Sequence, residues 1–140
     1  QPMKYKNITD ENGNTRTGFV IYSLGNFISS QTTPPRNAGV ILNIEIEKTN
    51  DEKPIIKEVA AIPIWTQFRN VNDVNDFKVR AVYDLLTLSE QQLKETIRLK
   101  DISRIYEIQK ESTQMLLGYE VPVEQIQSEY IFEQTEENFE

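Results

Sequence analysis

The sequence predicts an α+β fold, strand-rich first and helical at the end, and three observations carry that prediction. Up to about Tyr83 the apolar residues keep returning to a two-residue alternation. Near Ser89 the spacing switches to three and four. Strands and helices do not alternate along the chain, as a parallel α/β sheet would require. With 140 residues, 38% of them hydrophobic, there is enough chain to bury one core.

The strands follow in order. Apolar and polar residues mix from Pro2 to Ile8, giving a first strand. Asp10 to Asn14 is a turn, with Asn12-Gly13 suited to positive φ. Gly18 to Leu24 (GFVIYSL) is almost entirely apolar, which predicts a strand buried on both faces. Gly25-Asn26 ends it. Residues 29–39 then form a polar loop whose Pro34-Pro35 pair cannot donate to a ladder. Val40 to Lys48 alternates most cleanly, with Leu42, Ile44 and Ile46 on the core side and Asn43, Glu45 and Glu47 opposite. Asn50 to Lys53 turns the chain back. Ile55 to Phe68 is the next strand, where Pro63 marks an edge, bulge or bend. Val71 to Asp76 reads as a polar connector before a last strand, Phe77 to Tyr83.

Helical signals begin at Ser89, which forms a capping-box pattern with Gln92. Leu93 and Ile97 share one face of that helix. Asp101 is placed to cap a second one, with Ile102, Ile105 and Tyr106 on one face and Gly118 and Pro122 as its stop. The chain thus divides into a β-rich part (1–86), a helical segment (87–118) and an acidic tail (119–140), the tail docked or partly disordered. Glu129 to Glu140 carries five glutamates and no lysine or arginine, which predicts a solvated segment.

Composition excludes several functions. A net charge of −7 and a pI near 4.7 leave no basic face for nucleic acid or an anionic membrane. No apolar run approaches the roughly 20 residues of a membrane span, and the first residues do not read as a signal peptide. Histidine and cysteine are both absent, so neither a zinc site nor a histidine-based triad is expected within this chain. No cofactor and no catalytic residue are assigned to it.

Tyr22-Ser23-Leu24-Gly25-Asn26-Phe27, preceded by Val20-Ile21 and followed by Ile28 and Gln31, resembles the most recognisable segment of the CapA (poly-γ-glutamate) family of bacterial capsule-synthesis proteins. Gln1-Pro2 fits the residues just after that family's histidine motif, Arg36 fits its loop arginine, and Pro63-Ile64-Trp65 fits a later strand. The resemblance spans about Gln1 to Tyr83. It implies a calcineurin-like metallophosphoesterase fold, of which this chain would supply the second sheet. It also implies divalent metal ions held by the parent protein, with ligands upstream of Gln1. The expected partners are the upstream portion of the same parent, a second copy of the chain, and poly-γ-glutamate or capsule-export proteins. The expected location is the extracellular face of the cell envelope, anchored through a segment absent here. A non-catalytic envelope scaffold or polymer-binding protein of the same fold is the alternative.

Three residues are candidates for binding substrate. Asn26 offers a donor and an acceptor at the end of an apolar strand, and reads either as a rim residue of the parent's site or as half of a Gly-Asn turn. Arg36 has the planar fork that clamps phosphates and carboxylates, and reads otherwise as a solvated loop cation. Ser23 has no base in the chain to activate it and fits polar packing better. Trp65, in an apolar strand, reads as core. Asp73, Asp76 and Asp84 do not make a calcium loop, because the glycine such a loop needs is missing.

Overall fold

The computed structural model describes residues 3–50 and 52–139. Gln1, Pro2, Asp51 and Glu140, used above for the first strand, the turn after Lys48 and the acidic segment, lie outside the described residues. The order is β1 (Met3–Thr9), β2 (Thr15–Ile21), β3 (Ala38–Glu47), β4 (Ile55–Val71), β5 (Val74–Ala81), α1 (Val82–Leu86), α2 (Glu90–Thr96), α3 (Leu99–Leu117) and β6 (Tyr130–Ile131). The fold is α+β, with two antiparallel sheets.

The first sheet is the β1–β2 hairpin, in register from Met3↔Ile21 to Thr9↔Thr15. Its loop is organised by Asp10, whose carboxylate accepts from the backbone N–H of Asn12 (3.0 Å) and Asn14 (2.9 Å) and from the Asn14 amide. Gly13 takes the left-handed conformation there (φ 80°).

The second sheet is built on β4, a strand of 17 residues. One edge of β4 pairs with β3 over residues 55–65. The other is covered in two pieces, β6 at Ala60–Ala61 and β5 from Ile64 to Val71. Pro63 lies between those pieces. Val40 turns its N–H away from β4, to the Leu24 carbonyl, so the Val40↔Pro63 pair is not hydrogen-bonded. The donor that Pro63 lacks would point into the gap between β5 and β6, and no ladder bond is lost.

The expected connector at Val71–Asp76 is instead a two-residue hairpin turn. Asn72 (φ 52°) and Asp73 (φ 63°) occupy its centre and Val71 pairs with Val74. Both residue types tolerate positive φ, so the flanking polar residues continue the strands. The last strand likewise ends two residues early, since Val82–Leu86 is helical.

The core has two centres. The first gathers Met3, Tyr5, Val40, Val59, Ala61, Leu116 and Phe132, with Tyr5 stacked between Phe132 and Phe139 at 5.5 Å from each. The second gathers Trp65, Val82, Leu85, Leu93, Ile97, Ile105 and Ile108. Helix α3 contributes to both. Its buried stripe runs Ile105, Ile108, Gln109, Ser112, Thr113, Leu116, which is the i, i+3, i+4 spacing of one helical face.

Four expectations are corrected. GFVIYSL is not buried on both faces: Phe19, Val20 and Ile21 are half-buried, while Tyr22 and Leu24 are exposed. The strand pairs only with β1, which leaves it a free edge among the described residues. On β3, Val40 and Leu42 reach the core, but Ile44 and Ile46 are 41% and 62% exposed, beyond the end of the packed face. Asp101 does not cap α3. That position belongs to Arg98, which bonds Asp101 in the first turn at 2.6 Å, whereas the Ser89–Gln92 capping box forms as its pattern suggests. Finally, the glutamate-rich end is not simply solvated. Tyr130 and Phe132 are buried, because the apolar residues between the glutamates alternate into the first core centre and onto β4.

Candidate functional site

Ser23, Asn26 and Arg36 all fall on one segment, residues 22–37, which folds against the start of β3. The segment is held backbone to backbone. Asn26 N–H donates to the Ala38 carbonyl (3.3 Å) and Val40 N–H to the Leu24 carbonyl (2.8 Å), so Gly25 lies opposite Gly39. A Cβ on Gly25 would meet the Ala38 oxygen at 2.8 Å, and one on Gly39 would meet the Asn26 oxygen at 2.7 Å. Gly25 is also left-handed, at φ 72°. The two glycines therefore permit an approach that no other pair of residues allows without a backbone shift.

Asn26 closes the loop. Its Nδ2 donates to the Arg36 carbonyl (2.7 Å) and to Gln31 Oε1 (3.1 Å), tying the two ends of residues 26–36 together. The turn reading of Asn26 thus has geometry behind it. Ser23 Oγ accepts from Gly25 N–H at 3.2 Å, a local bond that steadies the sharp turn. Arg36 contributes its backbone to the loop, while its exposed side chain has no hydrogen-bond or ion-pair partner among the described residues.

Beside this loop lies a cleft of about 240 Å³ between residues 23–40 and the C-terminal half of α3. Leu24, Pro35, Val40 and Met115 make it mostly apolar, and Ser23, Glu111 and Ser112 are its polar members. Of the three candidates only Ser23 lines it, so the structure does not gather all three around one cavity. Among the described residues Glu111 is the one carboxylate lining the same cleft as Ser23. It is occupied by Arg104, whose Nη1 lies 3.0 Å from both of its oxygens.

Comparison with protein-family models, curated proteins and solved structures finds no match to this chain.

Sequence reasoning missed the residues that fix the loop from beneath. Asn37 is buried. Its carbonyl accepts from Thr66 N–H (2.9 Å) and its Oδ1 from Arg104 Nε (3.3 Å). Thr66 Oγ1 donates to the Phe27 carbonyl at 2.6 Å. Arg104 is itself buried and bonds Glu107 as well as Glu111. A buried arginine gains by being paired on several sides, since an unpaired one would be strongly disfavoured. Nothing in the spacing of α3 marks Arg104 out, because it lies beside the apolar residues of the buried stripe. Trp65 is core, as expected, and its Nε1 has no partner among the described residues. Among the described residues no group of three or more Asp or Glu side chains is placed to hold a metal ion. Nor is any helix among them long and apolar enough to cross a membrane.

Proposed function

We propose that this chain is part of a capsule-biosynthesis protein of the poly-γ-glutamate type, and that the loop of residues 22–37 is where it meets the polymer. The observation behind this reading is the state of the motif segment. It is clamped by Gly25, Asn26 and Gly39, yet Tyr22, Leu24 and Phe27 are exposed, and the exposed Arg36 guanidinium has no partner among the described residues. A polymer of γ-linked glutamate offers a carboxylate on every residue and a short methylene stem between them. The guanidinium fork matches the carboxylate, and the exposed apolar side chains suit the stem.

In this reading the metal ligands and any hydrolytic chemistry belong to the upstream portion of the parent, at the outer face of the cell envelope. The chain's own part is to bind and orient.

The test is calorimetric titration of short poly-γ-glutamate into the protein at low salt. Binding should weaken about tenfold or more in Arg36→Ala, as expected for loss of a charge-assisted contact, and should fall as salt is raised. No heat at millimolar polymer, or binding indifferent to Arg36→Ala, would end the proposal. Binding by the protein joined to its upstream portion, with no turnover, would favour the scaffold form of the same reading.

A further inference from the structure

We infer that the outer edge of β3 is a self-pairing surface, on which a second copy of this chain adds its own β3 antiparallel about Ile44. This depends on no part of the capsule reading; it names the surface for one of the expected partners.

The edge is defined by hydrogen bonds. Ala38 and Val40 turn their backbone groups away from β4 and give them to Asn26 and Leu24. In a regular strand the same direction recurs every second residue, so Leu42, Ile44 and Ile46 also point outward. There they have no backbone partner among the described residues. The strand stays regular along this stretch. The register shift near Glu45 and Ile46 skips Lys57, so the extra residue lies in β4 and β3 is not kinked by a bulge of its own. Proline and lysine, the usual guards of an open edge, are absent from Ala38–Glu47.

Charge then selects the partner and the register. A two-fold centred on Ile44 sets Ile44 against Ile44 and Leu42 against Ile46, which uses all three outward-pointing residues. The same register places Glu45 opposite Asn43 and Glu47 opposite Ile41, so no two carboxylates face each other. Moving the centre to Glu45 sets Glu45 against Glu45, and moving it to Ile46 sets Glu45 against Glu47. Both put like charges directly opposite. Moving it the other way, toward Leu42, asks for Val40, whose N–H Leu24 already holds. Glu47 is further neutralised by Lys57, at 3.1 Å. The pairing would also cover Ile44 and Ile46, the two apolar residues of β3 that the core leaves most exposed.

Light scattering of the full chain across a concentration series should show a monomer–dimer equilibrium. Asn43→Glu places a new carboxylate opposite Glu45 twice per dimer and should raise the dissociation constant roughly tenfold. Adding Glu45→Lys should restore it, because each pair is then of opposite charge. Both side chains are exposed, so the fold should be indifferent to these changes. A second measurement uses the absence of native cysteine. Under mild oxidant, a mixture of Asn43→Cys and Glu45→Cys chains should cross-link faster than either alone, since the two positions face each other in this register at about 4.5 Å between Cα atoms. A monomer at every concentration, a dimer unmoved by the charge swap, or cross-linking no faster in the mixture would each overturn the proposal. Binding at this edge by the upstream portion of the parent, with no self-association, would overturn it too.

Discussion

Helix α3 bridges two core centres that are built in opposite ways. Its first half packs on residues drawn from a short stretch of chain, Trp65 to Ile108. Its last turn packs on residues from both ends of the sequence, Met3 and Tyr5 on one side and Phe132 on the other. Closing the second kind of core fixes far more chain than closing the first. It is also sealed by few residues, with Tyr5 in contact with Phe19, Phe132 and Phe139 and its hydroxyl bonded to the Phe132 carbonyl at 2.8 Å. The helical centre should therefore tolerate local damage, whereas the strand centre should open as one unit.

Tyr5→Ala is the strongest way to test this. It removes a fully buried aromatic and a hydrogen bond, at a cost of about 3–5 kcal/mol. Hydrogen exchange should show the β1–β2 hairpin and residues 130–139 losing protection together, with α1–α3 still protected. Equal loss in α2 would mean that the two centres are not separable.

Leu93→Ala makes the opposite cut. The side chain is buried against Ile97 and its neighbours, and its removal should cost about 2–3 kcal/mol in a denaturant melt. The exchange it causes should stay within α2 and the segment beside it. Ser89→Ala is milder still. Loss of the reciprocal capping bonds with Gln92 should cost about 1 kcal/mol and fray only the start of α2.

The smallest effect is on pH dependence. Hydrogen bonds from the Asn14 side chain, then from the Asn14 backbone, hold the Asp10 carboxyl below its ordinary value of 3.8. A depressed folded value means the turn is favoured above about pH 4 and that this contribution fades as pH falls through the lowered value. Chemical shifts of the hairpin turn should change below about pH 4, and Asp10→Asn should abolish that transition.

The strands and helices were legible because their signals are local. The Val40–Leu42 alternation at the start of β3, the Ser89–Gln92 box and the turn at Gly13 each need only a few neighbours, and each has its counterpart in the fold. What escaped was long-range. Nothing near Tyr130 or Phe132 says that they dock on β4 about 70 residues earlier, and surrounding glutamates disguise them. Gln109, Ser112 and Thr113 masked the buried stripe of α3 because they are polar. Two of them bond partners the pattern cannot show: Gln109 Nε2 donates to the Tyr130 hydroxyl (2.7 Å), although its buried Oε1 has no partner among the described residues, and Thr113 Oγ1 accepts from Val121 N–H (3.0 Å). At the loop, residue types pointed to Ser23, Asn26 and Arg36, but the Arg104–Asn37 support joins positions 67 apart and leaves no local trace.

The two-piece cover on β4 has a consequence for synthesis. As the chain leaves the ribosome, β4 can pair at once with β3 and β5, both its neighbours in sequence. The edge at Ala60–Ala61 must wait for Tyr130 and Ile131 to emerge, several seconds later at usual translation speeds of about 5–20 residues per second. During that interval the nascent sheet exposes a short apolar edge, open to chaperones and to neighbouring nascent chains alike. A polysome spacing that crowds such chains would favour premature pairing, and slower translation after Leu117 would lengthen the exposure.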